Sequence, residues 1–218
     1  YAHRGTTTAD KLDTPSRAND RFNEVPTGGL DTSGTRVFLG GKDNPLLAPR
    51  GVHLAGGRLF VSDTGQNRVF IWHQLPTVDW QEPVVVLGQT GIMVTGRIAG
   101  GMVSACSLMY PSGLWSDGQR LIVADAWNHR VLIWNSIPTE DGQPADVVVG
   151  QKDFTGNEPN VLGIGTTPSA RSLNWPYGLT SDGERLFIAD TGNRRVLVYD
   201  TIPTENYAAA DGVIGKNG

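Results

Sequence analysis

Residues 121–139 read LIVADAWNHRVLIWNSIPT, which is an apolar run, a short polar turn, a second apolar run and a closing proline segment. Similar stretches occur at residues 59–77, LFVSDTGQNRVFIWHQLPT, and at residues 186–204, LFIADTGNRRVLVYDTIPT. In each stretch an aspartate is followed five positions later by an arginine. The aspartates recur at intervals of 62 and 65 residues, and the pairs are Asp63 and Arg68, Asp125 and Arg130, and Asp190 and Arg195. Internal repetition at such a period is typical of a repeat architecture.

The similarity extends outward from these stretches. A Pro-x-Gly-Val/Leu motif precedes each copy, and an apolar run that ends in glycine follows it. The motifs begin at Pro49, Pro111 and Pro176, and the runs end at Gly88, Gly150 and Gly215. A fourth, eroded copy is predicted in residues 1–45, where Asp13, Pro26 and residues 37–40 keep part of the pattern but residues 18–21 (ANDR) replace an apolar run.

Each copy contains four short apolar runs, which in the second copy lie near residues 113–116, 120–125, 130–134 and 146–150. Turn residues separate the runs, so we expect four antiparallel strands joined by hairpins. The middle runs are apolar on both faces, and a sheet of this kind must be covered on both sides. Radial stacking of such sheets gives a β-propeller, whereas a stack of straight coils would need shorter repeats without hairpins. No long 3.6-residue period is present, and we therefore predict an all-β fold.

Two sets of residues resemble the NHL repeat family, namely the Asp-Thr-Gly-Gln-Asn-Arg-Val type segments and the Pro-x-Gly-Val/Leu motifs. The segments are residues 63–69 (DTGQNRV), 125–131 (DAWNHRV) and 190–196 (DTGNRRV), and the likeness covers residues 36–218. The sequence is similar in particular to long bacterial NHL-type repeats of about this length. The resemblance implies a propeller of four-stranded blades, commonly with six blades in the ring.

The repeat limits predict one β-propeller domain over residues 1–218, or a fragment of one. Clear blades are expected at residues 46–92, 93–153 and 154–218, with a degenerate partial blade at residues 1–45. Three clear blades are half of six, which favours a fragment of a larger ring. Further blades from the same chain or from another chain could also close the ring, and residues 1–45 could serve as a fourth blade.

The repeated aspartates and arginines are expected to be structural. Each aspartate can accept backbone N–H bonds in the turn between the second and third strands, where a glycine would supply a positive φ. Each arginine can reach back to that aspartate or to a carbonyl of a neighbouring strand. Trp72, Trp134 and Tyr199 occupy equivalent positions in the third strand and are expected to pack between blades.

Positions at which the copies differ are the candidate binding residues. They are expected near one rim and at the channel mouth, because innermost strands line the axis of a propeller. Aromatic and arginine side chains at loop ends are typical anchors for a partner, although Trp175 and Tyr110 could equally plug the loops. These candidate residues are Arg50, Tyr110, Ser112, Trp127, His129, Trp175 and Tyr177.

The composition excludes several classes of protein. The formal net charge of -4 gives no electrostatic reason to expect binding to nucleic acid, and no apolar run approaches the length of a membrane span. Cys106 is the only cysteine, so an internal disulfide and a cysteine-based zinc site are excluded. The chain begins at Tyr1 rather than at methionine, so either a leader was removed or the sequence begins inside a longer protein. Removal of a signal peptide is the interpretation we favour, and it predicts an extracytoplasmic or secreted protein.

The sequence offers little catalytic chemistry. His53 and His73 lack the spacing of a metal-binding pair, and no nucleophile motif is present, so no cofactor and no metal site are predicted. Calcium is possible at loop acids such as Asp153 and Glu158, although the loops lack the spacing of a known calcium motif.

Three hypotheses for function remain open from the sequence. The first is a non-enzymatic binding or scaffolding propeller that contacts a protein or glycan through its loop-bearing rim. The second is a propeller hydrolase or lyase with a metal on the axis, and the third is a structural module of a larger secreted assembly. A fold alone does not decide among them.

Overall fold

The computed structural model describes residues 39–215, so the eroded copy predicted in residues 1–45 lies almost entirely outside the described residues. A short hairpin of β1 (Gly40–Gly41) and β2 (Asn44–Pro45) comes first. Three four-stranded antiparallel sheets follow, each a simple meander. The all-β, propeller-type fold expected from the repeat is confirmed.

The strands of the three sheets, which we call the first, second and third blades, occupy equivalent places in the repeat. Within each blade the strands are hydrogen-bonded in sequence order, from an inner strand to a short outer strand. The first blade contains β3 (Gly51–Ala55), β4 (Arg58–Asp63), β5 (Arg68–Trp72) and β6 (Val85–Leu87). The second contains β7 (Pro111–Ser116), β8 (Leu121–Asp125), β9 (Arg130–Trp134) and β10 (Val147–Val149). The third contains β11 (Pro176–Ser181), β12 (Leu186–Asp190), β13 (Arg195–Tyr199) and β14 (Gly212–Gly215).

A one-turn 3₁₀ helix joins the second and third strands of every blade, at Thr64–Gln66, Ala126–Asn128 and Thr191–Asn193. The expectation that glycine supplies the positive φ of this turn is wrong. The left-handed residue is the one after the helix, at Asn67, His129 and Arg194. Gly65 is needed for a different reason, because a Cβ there would lie 2.5 Å from the carbonyl oxygen of Leu47.

The aspartate and arginine of each repeat form a buried ion pair, which we call the clasp; the pairs are Asp63–Arg68, Asp125–Arg130 and Asp190–Arg195. In the second blade Arg130 Nε donates to Asp125 Oδ2 at 2.8 Å, and neither side chain is exposed. Asp125 Oδ1 accepts the backbone N–H of Met109 at 2.7 Å, a residue of the preceding linker and not of the turn as expected. Arg130 Nη2 also donates to the carbonyls of Ser104 and Ser107. The clasp therefore ties the turn to the linker that enters the blade.

Neighbouring blades meet through their inner strands and through shared apolar cores. A Cβ on Gly51 would lie 2.2 Å from the carbonyl oxygen of Ser112, and a Cβ on Gly113 would lie 2.9 Å from that of Tyr177. Glycine in the Pro-x-Gly motif thus permits backbone contact between inner strands. One core cluster lies between the first and second blades, and another lies between the second and third.

Of the third-strand aromatic residues, Trp134 packs between the first and second blades and Tyr199 between the second and third, as expected, whereas Trp72 packs with Leu39 on the outward face of the first blade. Trp72 Nε1 donates to the carbonyl of Gln81 at 2.9 Å, and Trp134 Nε1 donates to that of Gln143 at 3.0 Å. Tyr199 fills the same place in the third blade, but its buried hydroxyl has no hydrogen-bond partner among the described residues.

The only helices within residues 39–215 are short 3₁₀ turns, of which the remaining one is Arg97–Gly100. No helix of the described region is long and apolar enough to cross a bilayer.

Candidate binding surface

Two aromatic residues are fixed at the boundaries between blades, each directly before the proline of an inner strand. Tyr110 and Trp175 both have left-handed backbones, with φ of 57° and 51°. The backbone N–H of Tyr110 donates to Asn67 Oδ1 at 3.0 Å, and that of Trp175 donates to His129 Nδ1 at 3.1 Å. The turn of one blade therefore holds the residue that enters the next blade.

Four of the candidate residues form a continuous row that crosses all three blades. Arg50 Nη2 donates to Tyr110 Oη at 2.8 Å, and its guanidinium lies 4.9 Å from the centre of the Tyr110 ring. The Tyr110 and Trp127 rings are stacked with their centres 4.8 Å apart. Trp127 Nε1 donates to Tyr177 Oη at 3.3 Å. We call Arg50, Tyr110, Trp127 and Tyr177 the rim row.

Arg97 joins this row, although the sequence did not single it out. Its guanidinium lies 5.6 Å from the centre of the Trp127 ring, a distance suited to a cation–π contact. It begins the 3₁₀ turn Arg97–Gly100, whose Ile98 donates its backbone N–H to the carbonyl of Leu108 at 3.1 Å. Nothing in the repeat marks this arginine, because residues 151–163 of the equivalent linker between the second and third blades contain none.

The exposed aromatic surface at this end belongs mainly to Trp127 and Trp175, which are 37% and 46% exposed. The Trp175 ring is stacked on His129 with the ring centres 6.0 Å apart. We call the rim row together with Arg97 and Trp175 the rim patch. It presents aromatic rings and two guanidinium groups on one surface.

Ser112 and His129, the remaining candidates, are buried. The carbonyl of Ser112 faces Gly51 of the first blade. Burial lowers the pKa of His129 to about 4, and a contact with Asn174 opposes this shift only in part. His129 is therefore neutral near pH 7, as its acceptor role toward Trp175 requires, and both residues support the frame beneath the patch.

Ligands for a metal ion do not converge in the region that the structure describes, since no group of three His, Cys, Asp or Glu residues lies together within residues 39–215. His53 Nε2 lies 2.8 Å from the carbonyl oxygen of Ser116 and connects two inner strands. Asp153, the acid considered for calcium, accepts hydrogen bonds from the backbone and hydroxyl of Thr155, and these bonds lower its pKa.

Comparison with known proteins bears on the fold only. No family model matches the chain, and no curated protein matches it. Among solved structures, the chain is similar to glutaminyl cyclase of Myxococcus xanthus, with 16% identity, a TM-score of 0.46, and coverage of 81% of this chain and 53% of that one. It is also similar to hydrazine synthase of Kuenenia stuttgartiensis, with 18% identity, a TM-score of 0.44, and coverage of 84% and 38%. The chain thus spans about half the length, or less, of these structures, and the blades themselves, with their stacked inner strands, establish the propeller-type fold.

Proposed function

We propose that this chain is a non-enzymatic binding or scaffolding module, and that the rim patch is its contact surface. One observation carries the proposal: side chains from three blades meet in a single row at one rim, at positions where the repeat does not require them. Arg50 comes from the first blade, Tyr110 and Trp127 from the second, and Tyr177 from the third.

The blade frame itself has no need of these aromatic residues. The position of Trp127 is occupied by Gly65 in the first blade and by Gly192 in the third, and both turns have the same 3₁₀ conformation. The position of Tyr110 is Ala48 in the first blade, with a similar left-handed φ of 52°. Since the frame forms without them, the exposed rings of the second and third blades need another explanation, and contact with a partner supplies one.

The residue types favour a protein partner. Trp, Tyr and Arg are the side chains most enriched where partner contacts contribute most to binding free energy. A glycan is the alternative, because a sugar ring can pack its apolar face on an exposed indole such as that of Trp175.

The test uses two probes against the folded chain: a phage-displayed peptide library and a glycan microarray. Trp127→Gly and Trp175→Ala remove the exposed rings. Trp127→Gly also gives the second blade the glycine that the first and third blades have at this position. His73→Ala is the matched control, because His73 is exposed and follows β5 at the opposite end of the blade.

The proposal expects peptides or glycans that bind the native chain and His73→Ala but lose at least about tenfold in affinity with either rim variant. Selection of peptides would assign a protein partner, and signals on the array would assign a glycan. Ligands that bind all four proteins equally, or no ligand from either probe, would count against the rim patch as a contact surface.

The rival explanation is that the rim row only joins the blades. In that case Trp127→Gly would lower the unfolding temperature and leave any binding of the folded protein unchanged. Thermal unfolding of the same variants separates the two explanations.

The finer assignment to NHL-type blades is part of the proposal. It is supported by the buried Asp–Arg clasp at the same place in every blade and by the Pro-x-Gly motif of the inner strands. The extracytoplasmic location stays a prediction from the sequence.

A further inference from the structure

The segments that carry the rim patch contain no acidic residue. They are residues 44–62, 83–116, 126–139 and 159–181, and each of them contains at least one residue of the patch but no aspartate and no glutamate. The arginines of the patch therefore have no acidic neighbour close to them along the chain.

The exposed acidic residues of the blades are concentrated at the other end of the sheets. In an antiparallel meander the connections alternate between two ends, so the hairpins of the first and second strands and the loops between the third and fourth strands lie opposite the rim patch. In the second blade these connections carry four exposed acids, Asp117, Glu140, Asp141 and Asp146. The corresponding connections of the first and third blades are also acidic, at Asp79 and Glu82 and at residues 182, 184, 200, 205 and 211. The negative charge of the blades is thus held away from the rim patch.

Arg50 and Arg97 are exposed and have no carboxylate partner within residues 39–215. Asp153 and Glu158, the acids of the linker that enters the third blade, form no ion pair with either arginine. Arg50 uses one N–H for the bond to Tyr110 Oη, and the contact of the Arg97 guanidinium in this region is with the Trp127 ring. Because a guanidinium has five N–H donors, both arginines have donors left for a carboxylate.

The aromatic rings of the rim row hold the two guanidinium groups in place. Arg50 lies 4.9 Å from the centre of the Tyr110 ring, Tyr110 is stacked on Trp127, and Arg97 lies 5.6 Å from the centre of the Trp127 ring. Each ring thus contacts the other ring and one guanidinium. Side chains that are ordered in the free protein lose less entropy when a partner binds. The two arginines are therefore arranged in advance for an anionic partner.

We infer that the rim patch binds an acidic peptide segment of a partner protein. Arg50 and Arg97 each pair with an Asp or Glu carboxylate of the segment, and the exposed edges of Trp127 and Trp175 pack against the residues beside those carboxylates. This inference rests on the proposed function and assigns the chemistry of its partner. Charge complementarity carries it, since the patch offers uncompensated guanidinium groups on a chain whose other exposed surfaces are rich in acids.

A short acidic peptide suits this surface better than a nucleic acid does. Nucleic-acid binding draws its affinity from many phosphate contacts over a broad basic surface, whereas this chain has a formal net charge of -4 and its basic region is local. Single-stranded nucleic acids also stack their bases on open aromatic faces. The facing sides of the Tyr110 and Trp127 rings are already stacked on each other.

Fluorescence anisotropy of the full chain with three labelled probes of equal length tests this inference. The probes are a peptide of alternating glutamate and alanine, its uncharged counterpart of glutamine and alanine, and a single-stranded oligothymidine. Arg50→Met and Arg97→Met remove the two guanidinium groups. Arg185→Met is the matched control, because it removes the same charge from an exposed arginine at the opposite end of the third blade. Circular dichroism and thermal unfolding establish that all variants are folded.

The inference expects the glutamate peptide to bind at low ionic strength, more weakly as salt is added, and the glutamine peptide to bind far less. Arg50→Met and Arg97→Met should each raise the dissociation constant of the glutamate peptide about tenfold, and Arg185→Met should leave it unchanged. Equal binding of the two peptides, equal effects of all three substitutions, or tighter binding of the oligothymidine would each overturn the inference.

The failure of this inference can be told apart from the failure of the proposed function. Peptides from the displayed library that lose affinity with Trp127→Gly but not with Arg50→Met or Arg97→Met would leave the rim patch as a contact surface and exclude an acidic partner. Sedimentation covers a remaining occupant, the acidic end of a second copy of this chain. Self-association that Arg97→Met abolishes would assign that copy and overturn the inference.

Discussion

Nδ1 of His129 accepts the backbone N–H of Trp175 at 3.1 Å, across the boundary between the second and third blades. The contact requires a neutral ring, and burial holds the pKa of His129 at about 4, below its usual 6.5. The interface between these blades therefore contains a group that resists protonation.

This relationship predicts an acid-sensitive stability. Because the pKa of His129 is lower in the folded state, the unfolded chain binds more protons between about pH 6.5 and pH 4. The stabilising contribution of neutral His129 is complete above pH 6.5 and is lost as the pH falls through this window, by about 3 kcal/mol. His129→Asn copies the acceptor Asn67 of the first blade and should unfold in urea with a weaker dependence on pH. Equal pH dependence of the two proteins would contradict the role of His129.

A second prediction concerns the buried clasp of the second blade. Arg130→Met leaves the Asp125 carboxylate buried without its cation, and we expect a loss of about 3–5 kcal/mol in the free energy of unfolding, measured in urea. Arg185→Met breaks an exposed Asp–Arg pair of the third blade and should change the stability little. Similar losses from both substitutions would show that the buried Asp125–Arg130 pair contributes no more to stability than an exposed pair does.

Much of this frame could be predicted from the sequence. The four apolar runs of the second copy correspond to β7–β10 within two residues, because short runs bounded by turn residues leave few alternatives. The Asp–Arg contact also follows from the repeat. The hydrogen bond from the Met109 backbone N–H to Asp125 Oδ1 could not be predicted, since Met109 lies sixteen residues away and only folding brings it close.

The candidate surface was predictable only in part. Residues at which the copies differ mark Arg50, Tyr110, Trp127 and Tyr177, and the structure brings these four into contact. The sequence could not show that Ser112 and His129 are buried, because burial depends on the neighbouring blade. Arg97 was missed, since its place over Trp127 is set by the path of the linker between blades, and the equivalent linker at residues 151–163 has no arginine.

A third prediction uses the unpaired hydroxyl of Tyr199. A buried hydroxyl without a partner lowers stability, so Tyr199→Phe should leave the free energy of unfolding unchanged or raise it by about 1 kcal/mol. Trp134→Phe is the contrast, because it removes the hydrogen bond to Gln143 and should destabilise the fold. A marked loss of stability with Tyr199→Phe would mean that the hydroxyl is bonded after all.

A fourth prediction concerns the glycines of the inner strands. Gly51→Ala places a methyl group 2.2 Å from the Ser112 carbonyl, and we expect a loss of about 1–3 kcal/mol in unfolding experiments. Gly178→Ala should cost much less, because its added methyl group would lie 3.5 Å from the Cβ of Ala189, at an ordinary contact distance. If both substitutions cost the same, the packing assigned to the inner strands would be wrong.

The central claim is that the blades stack in repeat register, so that aromatic residues peculiar to single copies meet at one rim. The most direct measurement is a nuclear Overhauser spectrum of protein labelled at tryptophan and tyrosine, with the Trp127 indole signal assigned by its absence in Trp127→Gly. The account predicts cross-peaks from this indole to the rings of both Tyr110 and Tyr177. A folded protein whose Trp127 signal shows neither cross-peak would contradict it.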